Sequence, residues 1–294
     1  MLWGFAFAAQ GRLSVLPTFM VVGARNLLAA LFLFLVIPLM DKITGNGRKF
    51  ISRRGIDFTK TELIGGSLCG VILATASALQ QFGIALGDNV GKAAFISALY
   101  VLIVPIIGLV IGRRSPLNAW IGVFVAIGGF YLLCIDTGFT VDGADLIVLL
   151  SASVYALHII TIDRFSPKCD GVRMSCIQFS VAFVISSVLS LIFEGAPDFT
   201  ALFSVLPALL YFGVCSGGIA YTLQIIGQRD SDPAVASIIL SLESVFGAIG
   251  GAIFLGEKME IKEYIGCAVV FIAIVIAQLD FPALFKKRLK NPKN

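Results

Sequence analysis

Residues 18–40 read TFMVVGARNLLAALFLFLVIPLM, and Arg25 is the only charge among them. As a helix rising about 1.5 Å per residue, a run of this length crosses the ~30 Å hydrocarbon core of a bilayer. The same pattern recurs on either side of it. Apolar runs bounded by charged or Gly/Pro breaks fall at 2–10, 18–40, 63–86, 90–112, 118–135, 145–162, 172–193, 201–227, 233–255 and 264–279. All but the first are long enough to cross. Backbone groups cannot go unpaired in lipid, and runs this continuous read as helices rather than barrel strands. The expected fold is therefore an all-α polytopic membrane protein of ten transmembrane helices, the first one truncated.

Composition points the same way. The 294 residues are 58% hydrophobic and 14% charged, with a mean hydropathy of +0.96. A soluble domain is about half apolar and about a quarter charged, so this chain lacks the charge to solvate a globular surface. That excludes an ordinary cytosolic enzyme. The cysteines stand at 69, 134, 169, 176, 215 and 267, only Cys169 in a loop, and no CxxC occurs. Neither a zinc site nor a disulfide framework is expected. The N-terminus has an apolar run but not the basic region a signal peptide needs.

Loop charge sets the orientation. With the N-terminus inside, the segments 41–62, 113–117, 163–173, 227–232 and the tail from 280 carry 17 Lys and Arg, against 4 on the outside. Both termini are expected to be cytoplasmic. The run Lys286-Lys287-Arg288-Leu289-Lys290 suits a topology determinant beside anionic lipid headgroups.

An internal repeat is visible. Gly112 and Gly122 bracket the loop between the fourth and fifth runs, and Gly256 and Gly266 bracket the corresponding loop 144 residues later. Trp3 and Tyr155 occupy comparable places, as do Arg25 and Gln178. Five spans is an odd number, so the second half enters the membrane from the opposite side. Two inverted five-helix repeats are expected, 1–135 and 136–281, followed by a basic tail, 282–294. Such repeats place a solute site near the midplane. Residues 143–152 have no counterpart ahead of Trp3, which points either to an upstream start or to a lost half-helix.

Glu243 is the one acidic residue in the middle of a span, in Ser241-Leu242-Glu243-Ser244. An intramembrane carboxylate is costly and marks function by default. It can couple protons to solute movement, bind a cationic group, or serve as an interhelical hydrogen-bonding group. Polar stripes recur at helical spacing: Ser151, Tyr155 and His158; Gly217, Tyr221 and Gln224; Ser77 with Gln80 and Gln81; Ser97 with Tyr100. Each faces a partner helix or a wet cavity. Arg25 and Lys92 lie toward the outer ends of their spans, where they are expected to snorkel. The glycine pairs 66/70, 83/87, 108/112, 213/217 and 247/251 suit close helix packing. Pro105 is expected to kink the fourth span.

Enzyme motifs fail on inspection. Gly91-Lys92-Ala93 lacks the Gly at 86 and the hydroxyl at 93 that a phosphate loop needs. Asp88 has no second mid-span Asp for an aspartyl protease, and neither HExxH nor GxSxG occurs. His158 is the sole histidine, so no histidine-cluster metal site is expected; nor is a cofactor or nucleic acid.

Two long motifs carry a resemblance. Leu79-Gln80-Gln81-Phe82-Gly83-Ile84 leads into Gly91-Lys92-Ala93-Ala94-Phe95-Ile96-Ser97-Ala98-Leu99-Tyr100-Val101 and Val104-Pro105. In the second half stand Ala220-Tyr221-Thr222-Leu223-Gln224, Pro233-Ala234-Val235-Ala236-Ser237, Ser241-Leu242-Glu243-Ser244-Val245-Phe246 and Leu255-Gly256-Glu257-Lys258. The chain resembles EamA-type transporters of the drug/metabolite transporter superfamily, with Leu2-Trp3-Gly4 joining the family's first helix halfway. The likeness implies a multi-pass protein of a bacterial-type plasma (inner) membrane, working without ATP by alternating access around a central cavity. It implies export of small organic solutes such as amino acids or metabolites. Ser244 departs from the Pro that many relatives carry after the Glu, so the kink there is expected to be lost. The residues expected to serve the solute path are Glu243, Trp3, Gln81, Tyr100, Tyr155, His158, Tyr221 and Gln224, with a small molecule, protons and membrane lipids as partners. The alternatives are a flippase for lipid-linked substrates and a non-transporting membrane sensor.

Overall fold

The computed structural model describes residues 2–43, 58–87, 90–113, 115–134, 142–250 and 261–278. The tail 282–294, Gly256, Lys258, Asp88 and most of the 41–62 loop lie outside the described residues, as does the side chain of Lys92. Every regular element among the described residues is a helix. The first half comprises α1 (Leu2–Leu13), α2 (Thr18–Ile43), α3 (Lys60–Leu86), α4 (Val90–Ala98), α5 (Tyr100–Val110) and α6 (Leu117–Cys134). In the second half come α7 (Gly143–Phe165), α8 (Gly171–Phe193), α9 (Phe199–Ser204), α10 (Leu206–Leu210), a π-helical segment (Tyr211–Tyr221) and α11 (Thr222–Gln228). The chain continues through α12 (Pro233–Leu240), α13 (Leu242–Gly250) and α14 (Ile261–Gln278).

Six helical stretches are long and apolar enough to cross a membrane: 18–40, 60–86, 93–110, 143–168, 171–193 and 206–228. Shorter apolar helices cover 117–132, 233–246 and 264–277. At 12 residues, α1 is only about 18 Å long.

The sequence explains where these helices start. Thr59 and Glu62 form a reciprocal capping box on α3, and Asp142 and Asp145 form one on α7. Asp170 caps α8, and Asp232 followed by Pro233 opens α12. Each side-chain oxygen satisfies amides the first turn leaves unpaired.

Three expected spans are interrupted. The fourth breaks at Leu99, where bonds tighten to three-residue spacing: Leu99 N–H to Ile96 O at 3.1 Å and Leu102 N–H to Leu99 O at 3.0 Å. Pro105, six residues on, supplies no N–H to Val101 and so removes one support from this stretch. The ninth breaks at Ser241, whose hydroxyl donates to Ile238 O at 2.7 Å and competes with the backbone ladder. The kink expected to vanish with a proline at 244 is thus replaced by a break three residues earlier, made by a serine. The eighth span is divided into α10, the π segment and α11 rather than forming one α-helix.

Helix pairing is reciprocal between the halves. The second helix of each half, α2 and α8, lie together, and so do the last helices, α6 and α14. The third helix α3 lies along α7 and α8, while the eighth span lies against α1 and α2. Glycines set these approaches. A Cβ on Gly70 would sit 2.6 Å from Gln178 O, and one on Gly213 would sit 2.6 Å from Leu28 Cβ. Gly83 likewise abuts Val148, whereas Gly108 meets only Arg113 O at 4.0 Å and seats no helix. Cys169, read as a loop thiol, is buried in the cluster that contains Cys69.

Polar contacts tie helix ends together. Both Glu194 oxygens accept from the first turn of α2, Phe19 N–H at 2.7 Å and Met20 N–H at 2.8 Å, placing a carboxylate on the positive end of the helix. Asp170 N–H donates to Glu62 Oε1 at 3.0 Å, and Asn118 Nδ2 donates to Ala277 O at 2.7 Å. Arg113 pairs with Asp163.

Candidate functional site

The two helix breaks face each other. Tyr100 is the first residue after the Leu99 break and Glu243 the second after the Ser241 break, and Tyr100 OH donates to Glu243 Oε1 at 3.2 Å. The interhelical hydrogen bond foreseen for Glu243 is therefore present. Glu243 also borders a cavity between the halves, so the bond does not exhaust its role. Space for the centres of water molecules there is about 50 Å³, room for a few waters. A solute as large as an amino acid needs the lining to move.

Trp3, Tyr100, Tyr155, His158, Tyr221, Gln224 and Glu243 all line this cavity; Gln81 does not. Its neighbour Gln80 takes the place, because successive residues on an α-helix point about 100° apart. Gln81 is buried elsewhere, its amide without a hydrogen-bond partner. Gln80 is the hub of the first-half wall. Its Oε1 accepts from Gln10 Nε2 at 3.2 Å and Tyr155 OH at 3.3 Å, and its Nε2 donates to Ser97 Oγ at 3.1 Å. Gln80 and Gln224 lie 144 residues apart, as Ser97 and Ser241 do. That spacing, already present in the glycine pairs, selects Gln80 over Gln81.

The opposite wall is aromatic. Trp3 meets Tyr221 edge-on with centroids 4.7 Å apart, and Phe179 and His158 close on the same ring at 5.6 and 5.8 Å. Trp3 Nε1 donates to Ser216 O at 2.9 Å, a carbonyl of the π segment. His158 Nε2 stands 3.2 Å from Gln178 Oε1; that oxygen only accepts, so this ring nitrogen carries the proton. The polar stripe on α7 is divided, for Ser151 donates to Ala76 O at 2.8 Å instead of facing the cavity.

Arg25 does not snorkel. It is 2% exposed, lines the cavity, and lies over Phe212 with its guanidinium carbon 4.2 Å from the ring centroid. Phe212 is far away in sequence, so nothing near Arg25 announces the contact.

A second space adjoins the first through Trp3, Gln224 and Leu240, which border both. This crevice offers about 440 Å³ to water centres and runs between Leu2, Leu223, Gly227, Gln228, Ser231 and Ile239. It lies at the junction of α1 with the eighth span and α12.

Residues 143–278, from α7 to α14, match the family model described as the EamA-like transporter family. A protein of Archaeoglobus fulgidus described as an uncharacterized transporter is 27% identical over 189 residues, 64% of this chain. The second half of the chain is thus similar to the EamA-like transporter family. The matched stretch spans 60% of the archaeal protein's length. One solved crystal structure aligns with this chain at a TM-score of 0.69 and 15% identity, over 98% of this chain and 97% of the other. At that identity the likeness speaks for the fold alone. The EamA match contains Glu243, Tyr221, Gln224, Tyr155 and His158, whereas Trp3, Arg25, Gln80 and Tyr100 enter the cavity from outside the matched residues.

Proposed function

We propose that this protein is a secondary transporter that exports small organic solutes, such as amino acids or metabolites, across a bacterial-type plasma (inner) membrane by alternating access. The observation that carries this reading is the cavity bordered by Arg25, Gln80, Gln224 and Glu243, where two interrupted helices meet through Tyr100 and Glu243. Secondary transporters build solute sites at such breaks, between repeats that rock against each other. The reciprocal pairing of helices supports two inverted repeats, 1–135 and 136–281, giving ten spans with a short first one. Loop charge supports cytoplasmic termini. Contacts between Arg113 and Asp163, and between Glu62 and Asp170, join segments assigned to that same side.

Glu243 exchanges a proton or pairs with the solute, and Trp3, Tyr100, Tyr155, His158, Tyr221 and Gln224 line the path. In this reading Gln80, which borders the cavity, stands in for Gln81. The crevice beside Leu2 and Leu223 favours one second reading, a lipid-linked solute that reaches the cavity sideways. Expression in a sensitive bacterial host, challenged with toxic amino-acid analogues and organic cations, tests the main reading. Specific protection that Glu243→Gln removes at unchanged expression is the expected result. An unchanged flux-versus-pH profile in Glu243→Gln would take that carboxyl out of the coupling.

A further inference from the structure

Among the described residues two arginines are almost completely buried, and they are treated differently. Arg173, 1% exposed, pairs with Asp170 at 2.9 Å. Arg25, 2% exposed, has no hydrogen bond or ion pair among the described residues, and its Nε is sealed from solvent without a partner. A carboxyl borders the same cavity, yet Glu243 bonds Tyr100 rather than Arg25. The contacts that hold Arg25 are aromatic, Phe212 at 4.2 Å and Tyr221 at 5.5 Å from the guanidinium carbon. A ring against the face of a guanidinium offsets part of its desolvation. It leaves the in-plane N–H groups unsatisfied, in the fork geometry that takes a planar oxyanion bidentately. A buried cation without a counter-charge is expensive, and here it stands in the wall of a cavity.

We propose that Arg25 is the receptor for an oxyanion group, carboxylate or phosphate, on the solute the cavity carries. This rests on the transport reading above and narrows the solute to one bearing an anionic oxygen group. The solute supplies the missing counter-charge when bound. Phe212 and Tyr221 hold the guanidinium in place when the cavity is empty, so the fork is oriented before the solute arrives. For a zwitterion, the ammonium end is left to Glu243 and Tyr100 on the interrupted helices.

The test is binding to the purified full chain in lipid nanodiscs, with counterflow in proteoliposomes. Four probes separate the charges: L-leucine, isoamylamine without the carboxylate, 4-methylpentanoate without the ammonium, and glycerol 3-phosphate. At least one oxyanion probe is expected to bind about tenfold or more tighter than isoamylamine. Arg25→Gln removes that advantage and leaves isoamylamine binding unchanged. The leucine, pentanoate and phosphate arms tell carboxylate from phosphate. Isoamylamine binding as tightly as leucine, or Arg25→Gln weakening every probe alike, overturns the proposal while export in the growth assay still stands. Binding of none of the four by wild type also overturns it, and only absence of export in the growth assay removes the transport reading too. If Arg25→Gln does not fold, Arg25→Lys decides. Loss of the bidentate fork then lowers oxyanion affinity about tenfold with the amine unaffected, and unchanged affinity for both overturns the proposal.

Discussion

The third helix of the first half and the eighth span carry the same short pattern 144 residues apart, Leu79-Gln80 with Gly83 and Leu223-Gln224 with Gly227, but they are built differently. The first is one regular helix, α3, of 27 residues. The second passes through 11 residues of π-helix, a wider and rarer geometry that tends to mark functional sites. Gln80 is pinned by Gln10, Tyr155 and Ser97, whereas Gln224 bonds only Gln228 on its own helix and keeps a buried, unpaired Oε1. The glycine seats differ as well. On α3, a Cβ on Gly70 would meet the backbone of α8 first, Gln178 O at 2.6 Å; on the eighth span, the nearest atoms to Gly213, Gly217 and Gly218 are side chains, Leu28, Ala29 and Phe32. In this account α3 clamps the cavity and the eighth span works it.

Three tests bear on that contrast. The largest effect is expected at Gly70. With a Cβ 2.6 Å from a backbone oxygen, Gly70→Ala costs about 1–3 kcal/mol, while Gly217→Ala, facing Ala29 Cβ at 3.0 Å, costs under about 1 kcal/mol. Thermal unfolding in detergent measures both, and equal losses would break the contrast. Next comes Gln80→Leu, which strips a partner from Tyr155, Gln10 and Ser97 and is expected to cost about 2 kcal/mol. Gln224→Leu frees only Gln228 and is expected to cost about half as much. The last is Trp3→Phe, which keeps a ring on Tyr221 but removes the donor to Ser216 O. A loss of about 1 kcal/mol is expected, with faster amide exchange confined to 211–221. Exchange unchanged there would show that the π segment does not depend on that bond.

Spans such as 18–40 and 172–193 are legible because lipid demands about 20 apolar residues in a row; caps such as Asp170, which the run-and-break reading does not use, set their starts. The interruptions are not legible. Leu99 is an ordinary helix former, and Ser241 breaks its span by a hydroxyl-to-carbonyl bond that a sequence does not display. Seven of the eight residues expected on the path border the cavity, since polar groups within apolar helices have few places to go. Of the adjacent amide pair, Gln80 and not Gln81 borders the cavity, and the 144-residue offset to Gln224 singles out Gln80. Arg25 was misread because its position along the span suggests snorkelling, while its partner Phe212 comes from the other half.

The most direct test of the clamp-and-mover account is a pair of distance distributions in lipid nanodiscs. Spin labels at the exposed positions Leu68 on α3 and Val184 on α8 report the clamp; Leu223 on the eighth span and Leu35 on α2 report the mover. The account expects one narrow distance for Leu68–Val184 and a broad or two-component distribution for Leu223–Leu35 that shifts when a transported solute is added. Equal widths in the two pairs, or a shift confined to Leu68–Val184, would contradict it.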